Sequence, residues 1–179
     1  MHERRFHGEP DRLRRPERVA LMEVDRTADL ALEGLEASTA LDVGTGSGLF
    51  AEAFARRGLT VSGVDANPEM LPAAQKYVPL GNFRPGTAEK LPFADAAFDL
   101  VFLGHVLHET DRPLEALKEA RRVSRRRVAV YEWPYIDETS GPPLAHRISP
   151  ATVEMLAHQA GFSTIEQFQL DHMVLLLLE

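Results

Sequence analysis

Residues 39–50 read TALDVGTGSGLF. A short apolar run closes on Asp42 and Val43, glycines follow at the alternate positions Gly44, Gly46 and Gly48, and an apolar helical pattern begins at once with Leu49. That order spells a strand, a tight turn and a helix start. Glycine reaches positive φ without strain and, lacking Cβ, lets a ligand come close to the backbone, while the first turn of the new helix offers N–H groups with no partner inside it. The turn is suited to a small polar ligand.

Working outward, Pro16 opens an amphipathic helix from Glu17 to about Leu32, and residues 1–15 form a polar, Arg-rich arm before it. After the glycines a helix from Leu49 to Arg57 is stopped by Gly58, and LTVSGV at Leu59 to Val64 is a second strand ending at Asp65. Asn67 and Pro68 start a helix to about Tyr77, and Asn82 to Arg84 is a weakly marked third strand. Phe98 to Leu103, FDLVFL, is the nearly continuous apolar run expected of a strand covered on both faces. A helix over 112–123, a fifth strand over Val128–Trp133, a loop over 134–143 and a helix from Pro150 to Ala160 follow, the last capped by Ser149 and stopped by Gly161. Strands at about 163–169 and 172–178 close the chain as a hairpin. The pattern predicts one α/β domain over residues 16–179, Rossmann-like and doubly wound. Its seven-stranded sheet is mostly parallel, with an antiparallel strand near the C-terminus. Ligands of such sheets bind at the carboxyl ends of the strands, where the glycine turn, Asp65 and the residues after Leu103 and Trp133 all fall.

Composition narrows the partners. The 179 residues are 44% hydrophobic and 26% charged, ordinary for a globular domain. There is no cysteine, which removes disulfides, thiolate metal sites and cysteine nucleophiles. The N-terminus lacks an apolar core for a secretory signal, and the longest apolar run, Met173–Leu178, is far short of a membrane span, so no targeting or transmembrane segment is expected and cytoplasm is the default location. A net charge of −7 argues against broad nucleic-acid binding. The arginine cluster RRVSRRR at 121–127 falls at a helix C-terminus, where cations complement the helix dipole, and enters the fifth strand from the end opposite the predicted site.

Two cofactors compete for the glycine turn. Counted from Gly44, the dinucleotide fingerprint G-x-G-x-x-G requires a third glycine at 49, where Leu49 stands. Asp42 precedes the first glycine by two and would repel a pyrophosphate; a carboxylate there suits a cationic ligand. LDVGTGSG, VSGVDANPEML, TAEKLPF and FDLVFLGHVLHE, in that order, resemble the successive motifs of class I S-adenosylmethionine-dependent methyltransferases. The segment EWPYIDETSGPPLAHRIS, with GF near the end, is similar to small members related to the ubiquinone and menaquinone biosynthesis enzymes. The resemblance covers roughly residues 38–179. It implies S-adenosylmethionine as cofactor, with Gly44, Gly46 and Gly48 in close backbone approach and Asp42 near its methionine end. Asp65 would take the ribose hydroxyls, and Ala66 and Met70 would flank the adenine. Thr87 stands before Ala88 where the family commonly has Asp, and its hydroxyl would accept from the adenine amino group.

Methyl transfer from a sulfonium is an in-line displacement, so catalysis is mainly alignment, with a base where the nucleophile must lose a proton. His105, just beyond the fourth strand, and His108 one turn on are the candidate catalytic side chains; Glu109, Glu132, Trp133 and Tyr135 come to the same rim. The competing readings are a strand-end histidine satisfied by backbone for His105 and simple helix packing for His108. HVLHE differs from the zinc-binding helices H-E-x-x-H and H-x-x-E-H, and no metal is expected. Arg147 would bind a substrate carboxylate or, the favoured reading, pair with an acid of the fold. The loop after Pro134 leaves no room for a substrate domain, which points to a small-molecule acceptor. The rivals are an NAD-dependent oxidoreductase and a non-catalytic protein that binds S-adenosylmethionine.

Overall fold

The computed structural model describes residues 10–138 and 140–179, so the Arg-rich arm is in view only from Pro10 and the reading of residues 1–9 lies outside the described residues. Its strands are β1 (Thr39–Val43), β2 (Thr60–Asp65), β3 (Asn82–Pro85), β4 (Phe98–Gly104), β5 (Ser124–Glu132), β6 (Ile165–Gln169) and β7 (Val174–Leu178). They form one sheet in the order β3-β2-β1-β4-β5-β7-β6. The first five are parallel, and β7 runs antiparallel to both β5 and β6, as the closing hairpin required. The chain winds outward from β1 to β3 and then returns to β4 on the other side of β1. The crevice at the carboxyl ends of β1 and β4 is therefore the switch point at which a ligand fits.

The period-two alternation of the strands sends side chains to two cores. Leu41, Val43, Val101, Leu103, Val128 and Val130 meet Ala116, Leu117 and Ala120 of α5 (Pro113–Val123) and Val153 and Ala157 of α6 (Pro150–Ala160). On the other face Ala40, Leu100, Phe102, Ala129 and Tyr131 meet Ala51 and Phe54 of α3 (Leu49–Arg56) and Ala28 and Ala31 of α2 (Val24–Leu32). β4 lies in the middle, buried from Phe98 to Leu103, which explains its nearly continuous apolar run, interrupted at Asp99.

Two boundaries differ from the sequence reading. The single N-terminal helix is split into α1 (Pro16–Leu21) and α2, because Glu23 adopts the left-handed conformation at φ 42°. The break frees the Met22 carbonyl, which accepts the buried Tyr131 hydroxyl at 2.7 Å. A phenol otherwise left without a partner in the core is thereby satisfied. The fifth strand starts at Ser124 rather than Val128, and its exposed beginning is held by ion pairs instead of apolar contacts. Arg125 pairs with Asp99, and Arg127 with Glu179 and the carbonyls of Ala31 and Glu33. Arg122 adds bonds to Glu119 and Asp95, so these members of the cluster are used within the fold. Among the described residues no helix is long and apolar enough to cross a membrane.

Candidate active site

All three glycines of the turn have positive φ, at 67°, 52° and 75°, but they serve different neighbours. A Cβ on Gly44 would lie 2.5 Å from a methyl of Val106, and one on Gly46 would lie 2.8 Å from Leu13. A Cβ on Gly48 would lie 2.9 Å from the backbone Cα of Ala74 on α4 (Leu71–Tyr77). Gly48 therefore permits α3 to pack on α4, and it lies outside the residues that line the cavity.

Asp42 is placed comparably. It is 3% exposed and lies beneath the turn, outside the cavity lining, where its Oδ2 accepts from the Thr45 hydroxyl at 2.8 Å and the Ala51 N–H at 3.1 Å. Burial raises its pKa from 3.8 to about 7, opposed by those two hydrogen bonds and reinforced by the charge of Asp65. Asp42 braces the turn and the start of α3. Asp65 faces the cavity and holds the turn from the side: Oδ2 accepts the Gly46 N–H at 2.8 Å and Oδ1 the Asn67 N–H at 2.8 Å.

The cavity they border has a volume of about 810 Å³. Gly44, Gly46, Asp65, Ala66, Met70, Thr87 and Ala88 form one wall; His105, His108, Glu109 and Trp133 belong to the other. Of the expected cofactor-binding and catalytic residues, Asp42 and Gly48 fall outside its lining, as do Glu132 and Tyr135 among the expected rim residues. Two further segments, the end of the N-terminal arm and the loop after β5, complete the rim. Arg14 donates to the Ser47 carbonyl at 3.1 and 3.0 Å, pairs with Glu52 at 2.6 Å and stacks 3.4 Å from the centre of the Tyr77 ring, which sets Leu13 against Gly46. On the far side, Arg147 donates to Glu138 at 2.7 Å and to the carbonyls of Pro134, Pro142 and Ser140. It pins the loop so that Gly141 lies against Trp133, and Arg147 is a loop brace paired with an acid, as favoured above.

His105 sits at the end of β4 in the left-handed region, φ 60°, a conformation that costs a non-glycine residue free energy and persists only where surroundings impose it. Its N–H donates to the Tyr131 carbonyl at 2.8 Å, and its ring stacks on Tyr131 at 5.1 Å and lies 4.9 Å from Trp133. The ring Nε2 is buried and has no hydrogen-bond partner among the described residues. Burial, with the positive neighbours His108 and Arg18, holds its pKa well below 6.5 and keeps the ring neutral.

His108 is built differently. Its Nδ1 lies 2.6 Å from Oε2 of Glu132, and both groups are buried. The other oxygen of Glu132 accepts the Leu107 N–H at 2.9 Å and the His108 N–H at 3.4 Å. Burial by itself would lower the His108 pKa; the Glu132 charge and hydrogen bond, helped by Glu109, outweigh it and the net shift is upward. The carboxylate fixes the proton on Nδ1 and leaves Nε2 as the basic nitrogen. Sequence reading named Glu132 only as a rim residue. Its pairing with a histidine 24 positions away follows from the register of β4 against β5, which no local spacing reveals.

Among the described residues no group of three or more His, Asp or Glu side chains is arranged to hold a metal ion. The walls instead present the Asp65 carboxylate and apolar surface to the cavity. A sequence profile described as a methyltransferase domain matches residues 41–131, about half of the chain. The chain belongs to the class I S-adenosylmethionine-dependent methyltransferases, and the nicotinamide alternative is set aside. It is 40% identical over 93 residues to a demethylmenaquinone methyltransferase of Chlorobaculum parvum, a match that takes in 51% of this chain and 39% of that protein. The corresponding figures for the demethylmenaquinone methyltransferase of Thermotoga maritima are 33% over 104 residues, 57% and 45%, so the match spans less than half the length of either relative. An S-adenosylmethionine-dependent methyltransferase of Aquifex aeolicus superposes with a TM-score of 0.82 at 23% identity, over 96% of this chain and 98% of that one. The [4+2]-cyclase SpnF superposes with a TM-score of 0.67 at 27% identity, over 80% and 59%.

Proposed function

We propose that the protein catalyses methyl transfer from S-adenosylmethionine to a small-molecule acceptor by in-line displacement. The observation that carries this reading is the two-walled cavity at the switch point, with Gly44, Gly46, Asp65 and Thr87 facing His105 and the His108–Glu132 pair. When bound, the cofactor supplies a methyl group made electrophilic by its sulfonium. Asp65 accepts from the ribose hydroxyls, Ala66, Met70 and Ala88 provide apolar surface for the adenine, and the Thr87 hydroxyl accepts from its amino group. Trp133 and the loop pinned by Arg147 restrict water at the opposite wall. His108, its Nδ1–H held by Glu132, takes the acceptor's proton at Nε2, and a base whose pKa lies near the working pH is the most effective. The short loop after β5 favours a small acceptor over a macromolecule.

The test is incubation of the purified protein with methyl-tritiated S-adenosylmethionine and a pooled small-metabolite extract, with RNA and bulk protein in parallel. Label in small molecules with matching S-adenosylhomocysteine is expected; label confined to RNA or protein contradicts the reading. A second reading, cofactor binding without methyl transfer, is favoured by the likeness to a cyclase. Cofactor binding with no S-adenosylhomocysteine formed across the acceptor panel would support it.

A further inference from the structure

Arg18 projects from the short helix α1 into the wall of the cavity beside Met22 and is half-buried. Every other described arginine that is not exposed donates a hydrogen bond inside the protein: Arg14, Arg57, Arg84, Arg122, Arg127 and Arg147. The Arg18 guanidinium has no hydrogen bond and no ion pair among the described residues, its bonds to Arg15 and Met22 being main-chain ones. A guanidinium taken out of water with no carboxylate in hydrogen-bonding contact is incompletely compensated for its lost hydration, so such a group in a cavity wall marks a place for an anion. Burial indeed lowers its pKa from 12.5, the direction expected of a cation short of counter-charge.

Of its electrostatic neighbours, His105, Glu109 and Tyr131 belong to the β4–β5 wall, and the other, Arg12, is a second cation on the N-terminal segment. In that same wall the buried Nε2 of His105 lacks a partner, and the ring of His105 is flanked by Trp133. A fork of donors, a neutral imidazole and a flat aromatic surface together fit a planar organic acid.

Building on the methyltransferase reading, we infer that the acceptor is a small carboxylic acid with a flat apolar body, its carboxylate held by Arg18 and its body against Trp133 and His105. The guanidinium presents two parallel N–H groups to the two carboxylate oxygens, a geometry an amide or ester cannot match. Glu109 at the rim disfavours a second negative charge and restricts the ligand to one carboxylate.

The probes are benzoate and 4-hydroxybenzoate against benzamide and 4-hydroxybenzamide, titrated by calorimetry into the protein with and without S-adenosylhomocysteine. Each acid is expected to bind at least about tenfold more tightly than its amide, and Arg18→Met should abolish that preference while Arg18→Lys keeps part of it. Affinity for S-adenosylhomocysteine should be the same in wild type and Arg18→Met, which also reports that the variant is folded. Equal binding of acid and amide by the wild type overturns the proposal. So does a loss of S-adenosylhomocysteine affinity in folded Arg18→Met, which would assign the guanidinium to the cofactor's own carboxylate. Failure of the wild type to bind S-adenosylhomocysteine at all would instead strike the methyltransferase reading, and the titration without it would still decide whether Arg18 selects acids.

Discussion

The two walls of the cavity are made by different physics. The β1–β2 wall is a backbone device: positive-φ glycines, a buried brace at Asp42, and the Asp65 carboxylate closing the turn through two main-chain N–H groups. The β4–β5 wall is a side-chain device, in which His105 is wedged in strained backbone against Tyr131 and Trp133 and His108 is aimed by a carboxylate from the next strand. A backbone device is specified within a few consecutive residues and holds a constant ligand. A side-chain device is assembled across strands and can change with the acceptor while the fold stays the same.

The largest effect that would separate the walls is on turnover. His108→Ala should lower kcat by about 10²- to 10⁴-fold, the usual contribution of a positioned base, with cofactor affinity measured by calorimetry essentially unchanged. The pH profile gives a sharper version. Because Glu132 holds the His108 pKa up, Glu132→Gln should lower it and move the acidic limb of the kcat profile to lower pH; an unmoved limb would show that His108 is not the titrating base. For stability the sign follows from a folded pKa above the unfolded one. The ion pair contributes fully below about 6.5 and its contribution is lost as pH rises through the folded value.

Gly48→Ala tests the scaffold of the first wall. A left-handed alanine whose Cβ meets backbone at 2.9 Å should cost about 2 to 4 kcal/mol in urea unfolding, whereas the same change at Gly46 meets the movable end of Leu13 and should cost less. Asp65→Ala should weaken S-adenosylmethionine binding by about 1.5 to 3 kcal/mol through lost charge-assisted hydrogen bonds, with turnover at saturating cofactor affected less. Smallest is Tyr131→Phe, which removes the bond to the Met22 carbonyl and should cost about 1 kcal/mol of stability with little change in cofactor affinity.

The same contrast explains what could be read from the chain alone. Strand, glycine turn and helix at 39–56, the acidic end of β2 and the apolar run of β4 are local signals, and they led directly to the sheet and to Gly44, Gly46, Asp65, Ala66, Met70, Thr87 and Ala88 in one wall. Asp42 and Gly48 belong to the same motif yet lie outside the lining, since a pattern of residue types does not say which side of a turn faces the cavity and which faces the protein. The break at Glu23 went unseen because it is paid for by Tyr131, more than a hundred positions away. Glu132 as the partner of His108, Arg147 as a loop brace and Arg18 as an unpaired cation all depend on tertiary neighbours, and no periodicity encodes them.

The central claim, that this cavity is an S-adenosylmethionine site organised by the glycine turn and Asp65, is tested most directly by calorimetric titration of the protein and of Asp65→Ala with S-adenosylmethionine, with NAD as the control. One-to-one binding of S-adenosylmethionine, no binding of NAD, and an affinity about 10- to 150-fold weaker in the folded variant are predicted. Absence of binding to the wild type, or equal affinity in the variant, would contradict it.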